Sequence, residues 1–496
     1  MIYLSSVLNF FIFLLSIFFF QYSISGYQSF FFQDQENKFI NFLLTIIILN
    51  IFSYALYLIS MPTNYFSIII WVIGFFLFLK KNSFKDNYLN SALILLLLSG
   101  VLISKTHEDF ITWHLPYLLN IYNESLIIGI GNKEINFVYA PFFSFFQILF
   151  FNEISEYNLV NIGVFLILVN FISFHINQFF KLKNLLSLFL VIFTLIKYSR
   201  FSEYGYDFLP LIILISIFYY FITSQNTRNF NINIMLILFL FAISIRSISL
   251  FFLPLFAFLL VKSNKIKLNF DKYFIIFFLL LISYISNNFL KSGCLLFFIE
   301  QTCTSFSWAV DIINLNAFSL HVELWAKSFF TQKIILDPNY YLNDFVWVKF
   351  WIKKHFFYKV NEYLLILILI FILIFFKTEF NKNKVSKLLI FFSILNILFW
   401  FTFLPQLRFG AVNFIIIFLI ILTSCQLDHV SKYLKTLIIL CFLIFNAKNI
   451  YRINDEFSRN DKYKFTNFPY ISVHEELAKT FTYNKKLLNI SFKPSK

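Results

Sequence analysis

Charge is scarce in this 496-residue chain: Asp, Glu, Lys and Arg make up 13% of it, against 59% hydrophobic residues and a mean hydropathy of +0.77. That balance excludes a soluble domain built round a single core. Arginine is rarer still, at positions 200, 228, 246, 408, 452 and 459 only. Most of the 40 basic residues are therefore lysine, and the few arginines carry more information. The N-terminus, MIYLSSVLNFFIFLLSIFFF, lacks a basic n-region and a small-residue cleavage site, so it reads as a retained transmembrane helix. There is no HExxH arrangement for zinc. The GIGN at 129–132 does not link a strand to a helix, which excludes a phosphate-binding glycine loop. It reads as a turn ending a helix over 111–128, with glycine at the C-cap. Neither a repeat of 20–50 residues nor an inverted repeat is visible, which disfavours the common transporter folds. Of four cysteines, Cys425 and Cys441 fall in apolar runs as small inert hydrophobes, while Cys294 and Cys303 share a polar loop.

What is present is a series of apolar runs as long as a bilayer crossing, among them 39–60, 273–290 and 361–376. The expected fold is all-α, a polytopic transmembrane bundle of about 12–14 spans with extracytoplasmic loops and interfacial helices. The net charge of +15 sits largely in lysine clusters between these runs, a pattern of topology and lipid-headgroup contact that needs no nucleic acid. Four clusters, at 80–85, 181–184, 262–272 and 377–387, are assigned to the cytoplasmic side. Alternation then puts 105–140, 200–207, 246–248, 291–360, 405–410 and the tail from 450 outside. Within that count, 141–151 is too short to span and begins with Pro141, so a helix lying along the outer membrane surface is expected. The organisation reads as N-terminal helices (1–104), an extracytoplasmic acidic loop with interfacial helices (105–156), a transmembrane core (157–290), an extracytoplasmic loop (291–360), C-terminal helices (361–449) and an extracytoplasmic tail (450–496). In an oxidising compartment, Cys294 and Cys303 are close enough in sequence for a short-range disulfide.

The unusual polar residues gather on that outer side. THEDFITWHLPYLLN (106–120) carries His107, Glu108, Asp109 and His114; Asn132 and Tyr139 follow; YSRFSEYGYDF brings Arg200, Glu203 and Asp207; Arg246, Lys291 and Arg408 lie at or near outer helix ends. Ionisable groups near membrane depth are costly and tend to be functional or paired. Glu108 and Asp109 either flank a helix N-terminus that Asp109 or Thr112 caps, or supply a general base for an acceptor hydroxyl, with Asp109 also able to coordinate a divalent cation. His107 and His114, seven residues apart without cysteine partners, read as hydrogen-bonding groups ahead of metal ligands. Arg246 interrupts the apolar run 231–261; it either snorkels to headgroups or grips a lipid-linked phosphate. Arg200 and Arg408 share these two readings. The tryptophans at 308, 325, 347 and 351 read as interfacial anchors or as platforms for a sugar.

The order of these motifs resembles the GT-C superfamily of integral-membrane glycosyltransferases. EDFITWHLPY stands where that superfamily has a catalytic carboxylate; Tyr139-Ala140-Pro141 is similar to its Y-P-P before a short helix; Asn152-Glu153-Ile154-Ser155-Glu156 is similar to its acidic turn; and Ser199-Arg200 through Asp207 is similar to its S-R…D element. The likeness covers 105–260. More narrowly, HLPY, SGC…TC (292–303) and PQLRFG (405–410) resemble a bacterial family of uncharacterised multi-spanning proteins. Two departures stand out: one proline at 141 instead of two, and four apolar runs before the acidic loop where the superfamily has one.

The resemblance implies an inverting transfer from a polyprenyl-phosphate-sugar donor to a lipid, glycan or protein acceptor. Asp109, with Glu108 beside it, would deprotonate the acceptor, and arginine would stabilise the departing phosphate. It also implies the bacterial plasma (inner) membrane as location, membrane lipids as partners, and no certain cofactor beyond a divalent cation. Two alternatives stay open: a lipid-linked glycan flippase or transporter, and a non-catalytic structural subunit.

Overall fold

The computed structural model of the chain describes residues 2–32, 37–61, 63–81, 84–102, 113–123, 126–151, 159–197, 208–224, 230–263, 270–297, 299–331, 337–375, 378–380, 386–426 and 431–459. Its helices are α1 (Ile2–Phe31), α2 (Lys38–Leu58), α3 (Thr63–Lys81), α4 (Tyr88–Leu97), α5 (Leu115–Asn123), α6 (Ser144–Gln147), α7 (Ile162–Leu182), α8 (Leu185–Lys197), α9 (Phe208–Ser224), α10 (Ile232–Ile245), α11 (Leu253–Lys262), α12 (Lys272–Ser292), α13 (Ile312–Ala326), α14 (Pro338–Asn343), α15 (Val346–Trp351), α16 (Asn361–Phe375), α17 (Lys387–Phe403), α18 (Leu407–Leu422) and α19 (Lys432–Arg459). Extended structure among the described residues is a two-residue antiparallel pairing of Glu379–Phe380 (β1) with Cys425–Gln426 (β2).

Among the described residues, six helical segments are long and apolar enough to cross a bilayer: Val7–Phe31, Lys38–Leu58, Ile162–Leu182, Lys272–Ser292, Val346–Phe375 and Lys432–Asp455. Apart from the two-residue pairing, the described residues thus form a helical membrane protein. Shorter apolar helices of 10–17 residues, including α8 to α11, α17 and α18, pack among them. At about 1.5 Å per residue, such helices reach at most about 26 Å, short of a roughly 30 Å hydrocarbon core.

Burial separates the centre of the bundle from its lipid-facing rim. α2 and α7 are 78% and 83% buried over their apolar windows, whereas the windows of α1, α12, α16 and α19 are only 28–33% buried. Polar side chains tie the central helices together, since lipid supplies no hydrophobic drive between them. Asn170 of α7 exchanges hydrogen bonds with Gln21 of α1 and accepts from Asn90 of α4 at 2.9 Å. α1 and α3 cross so closely that a Cβ on Gly26 would lie 2.0 Å from the carbonyl oxygen of Gly74. Only glycine allows that approach.

Three of the helix ends that bear lysine clusters make contacts at one end of the bundle. Lys272 Nζ donates to Phe31 O (3.2 Å), Lys262 Nζ to Ser386 Oγ (3.4 Å), Asn184 Nδ2 to Tyr219 OH (2.9 Å), and the Asn233 amide to Asp271 (3.1 Å). These contacts define a lysine-rich end of the bundle. The turn at Arg246 and the loop before α18 lie at the other.

Three expectations need correction. Residues 141–151, read as a helix along the membrane surface, are a chain of short helical turns with every residue buried. Asn50 Oδ1 of α2 accepts from Phe146 N at 2.7 Å, and the Trp71 indole of α3 donates to Leu149 O at 2.6 Å, so the segment enters the bundle instead of floating above it. A surface helix needs a polar face, and PFFSFFQILFF has almost none. The helix expected over 111–128 ends at Asn123, and Gly129 begins a separate turn at φ +69°. A Cβ there would meet Trp308 O at 2.6 Å, so glycine answers a close approach as well as a backbone angle. Finally, the loop expected to run to 360 gives way at Val346 to one continuous helix through a π-helical stretch, Ile352–Val360, into α16. Trp347 and Trp351 are 1% and 3% exposed within it, which removes them as sugar platforms and as membrane anchors.

Candidate functional site

The apolar run 231–261 breaks at Arg246, whose extended backbone (φ −146°, ψ 113°) ends α10 before a 3-10 turn leads into α11. This turn is tied to the segment that follows the acidic loop: Phe142 N donates to Ser244 O at 2.9 Å. Arg408 comes from the first turn of α18, held by an indole brace. Trp351 Nε1 donates to Pro405 O (2.5 Å), Trp400 Nε1 to Gln406 O (2.8 Å), and the Gln406 amide to Ala326 O (2.9 Å). Gly410 lets α18 rest on Trp400, where a Cβ would sit 2.3 Å from the indole.

These two pieces of backbone bring both arginines onto one aromatic ring. The Arg246 and Arg408 guanidiniums lie 5.7 and 5.0 Å from the Phe409 centroid, and Arg408 also covers Trp325 of α13 at 4.8 Å. Both line a small open cleft of about 20 Å³. Ser249 and Asn413 add polar groups, while Leu211, Leu214, Phe252 and Val412 form its apolar wall. The arrangement is amphipathic: a cationic rim over an apolar trough. Guanidiniums are well suited to phosphate oxygens, and an aromatic face lies beside each. The N-terminus of α18 adds partial positive charge beneath Arg408.

Lys291 belongs to a different cluster. It is buried at the end of α12, where Nζ donates to Ala140 O (2.9 Å) and lies 4.9 Å from the Tyr117 ring centroid. It braces the 139–142 segment and does not reach the cleft. Asn132 is likewise committed to structure: Nδ2 donates to Trp308 O (2.7 Å) and Ala309 O (3.1 Å). Tyr139 is wedged between Phe297 and Phe318, and burial pushes its phenol well above the usual range, so it is a neutral hydroxyl. His114 is buried against the Trp113 ring. A disulfide joins Cys294 to Cys303 beside this cluster, and Cys294 shares a small core with Val138, Phe297, Val310 and Leu315.

His107, Glu108, Asp109, Arg200, Glu203 and Asp207 lie outside the described residues. Among the described residues no group of three or more His, Cys, Asp or Glu side chains is placed to hold a metal ion. The structure thus joins Arg246 with Arg408 and separates both from Lys291, Asn132 and Tyr139. Phe409, Ser249 and Asn413 were not singled out by the sequence; Phe409, adjacent to Arg408 in PQLRFG, had the clearest signal.

Fold and site define a multi-spanning helical membrane protein with a cationic, amphipathic cleft. Residues 106–416 match a family described as a domain of unknown function (DUF8201), and the chain belongs to that family. No curated protein and no solved structure matches the chain.

Proposed function

We propose that the protein is a membrane glycosyltransferase that moves a sugar from a polyprenyl-phosphate-linked donor to a lipid, glycan or protein acceptor. The reading takes the arginine end as extracytoplasmic, the protein as a GT-C-like bundle of about 12–14 spans, and the membrane as a bacterial plasma membrane. One observation carries it: Arg246 and Arg408, distant in sequence, meet on Phe409 at the rim of an apolar trough. A polyprenyl phosphate has the matching shape, an anionic head on a long hydrocarbon. In the proposed reaction Asp109 takes the proton of an acceptor hydroxyl, whose oxygen attacks the anomeric carbon. The bond from that carbon to the phosphate oxygen breaks, and the departing phosphate carries its charge onto the two guanidiniums. Preorganised cations at a leaving group are a large source of rate.

The test compares cell-surface glycans and lipid-linked saccharides in cells with the wild-type chain, without it, and with Asp109→Asn at equal expression. Loss of one glycan and accumulation of its lipid-linked precursor in both altered strains supports the proposal. Wild-type glycans in the Asp109→Asn strain refute the catalytic assignment, and unchanged glycans without the chain refute the transferase reading.

A further inference from the structure

At the arginine end of the bundle, one helix carries a basic face of its own. Between Val346 and Asn361 there are four lysines, Lys349, Lys353, Lys354 and Lys359, and no acidic residue. All four are exposed, as are Phe357 (62%) and Tyr358 (74%), while the opposite face of the same turns buries Trp347, Trp351, His355 and Val360. None of the four makes an ion pair with a described carboxylate; the described ion pair is Lys327 with Glu323. The next acid along, Glu362, lies close enough to Lys197 of α8 to favour its charged form.

Two features make this face more than a solvated helix surface. The first is depth. About 20 residues are needed to cross a roughly 30 Å hydrocarbon core. Counted back from the end of α16 at Phe375, such a length reaches Phe356. Phe357 and Tyr358 then sit at the level of the aromatic belt, with Lys353, Lys354 and Lys359 within reach of the phosphates. The second is crowding. The stretch Ile352–Val360 is π-helical, which brings residues five apart onto one side. In that register Lys354 and Lys359 fall on one side, and a like pair is unfavourable without a counter-anion. Cations concentrated opposite the lysine-rich loops also run against the usual charge asymmetry of membrane proteins, so they require a local reason.

We propose that the face formed by Lys349, Lys353, Lys354, Phe357, Tyr358 and Lys359 binds the headgroups of anionic phospholipids in the leaflet at the arginine end. The phosphates neutralise the lysine row, and the two aromatic rings seat at the boundary of the acyl chains. This site is separate from the Arg246 and Arg408 cleft and stands whether or not the chain transfers sugars.

The test titrates the purified full chain, in a neutral detergent at low salt, with dioctanoyl-phosphatidylglycerol and with dioctanoyl-phosphatidylcholine. Each lysine near an anionic lipid surface strengthens the attraction roughly fivefold, so the anionic lipid should bind at least about tenfold more tightly. That preference should vanish when all four lysines become glutamine, persist when all four become arginine, and fall steeply in 1 M salt. Should the glutamine variant not fold, the arginine variant and the salt series still decide. No preference in the wild type, a preference that survives glutamine substitution or high salt, or one lost in a folded arginine variant overturns the proposal. Equal binding of glycerol phosphate, which has the headgroup charge without acyl chains, overturns the assignment to a lipid.

Discussion

Replacing Gly410 with alanine probes how the fold presents Arg408. The added Cβ would lie 2.3, 2.4 and 2.6 Å from Cδ2, Cε2 and Cγ of Trp400. Ordinary contact begins near 3.4 Å, so the indole or the helix must yield by about 1 Å. The ring has little room: Trp400 is 2% exposed, lies edge-on to Trp351 at 6.0 Å and to Phe414 at 5.6 Å, and donates to Gln406 O. Overpacking of this kind costs about 1–3 kcal/mol, and a strained or lost indole hydrogen bond adds about 0.5–1.5. Alanine's better helix propensity returns at most about 1 kcal/mol, leaving a net loss of roughly 0.5–4.5 kcal/mol. The measurement is unfolding in mixed micelles for Gly410→Ala, Trp400→Leu and the double variant. Because the smaller leucine vacates the clashing atoms, the two changes should couple by about 0.5–3 kcal/mol in the favourable direction. Additive effects, or a Gly410→Ala protein as stable as wild type, would show that α18 is not seated on Trp400 as described.

Opening the Cys294–Cys303 bridge with paired serine substitutions should cost about 2–3 kcal/mol, from the entropy of a loop of roughly ten residues. Limited proteolysis between 295 and 302 should accelerate, and an unchanged unfolding midpoint would contradict the expectation. Gly26→Ala and Gly74→Ala each push α1 away from α3 and should each destabilise by at least about 1 kcal/mol. Once the helices are apart the second change has little left to disrupt, so an additive double variant would count against a shared contact.

Much of the architecture was legible because membrane insertion penalises charge. An arginine in the middle of 231–261 had to end a helix, and α10 does end at Ile245. Two lysine clusters identified helix ends that prove to be neighbours, as Lys262 with Ser386 shows. The segment 141–151 was misread because a phenylalanine-rich stretch looks alike at a membrane surface and inside a bundle. What decides is Asn50 and Trp71, which hold its backbone from helices far away in sequence. Trp347 and Trp351 were read as surface tryptophans for the same reason: their burial comes from Pro405 and Phe401 across the bundle. For the cleft, each arginine was visible singly, but their meeting on one ring was not. That depends on where α18 starts, and so on the indole brace and on Gly410.

The central claim, that Arg246 and Arg408 together hold a lipid phosphate, is tested most directly by binding of polyprenyl phosphate and of uncharged polyprenol to the purified chain. A hydrogen bond to a charged group contributes about 1.5–3 kcal/mol, so Arg246→Gln and Arg408→Gln should each weaken polyprenyl phosphate by roughly 10- to 100-fold and leave polyprenol unchanged. Polyprenyl phosphate bound equally well by wild type and by both variants would contradict the account.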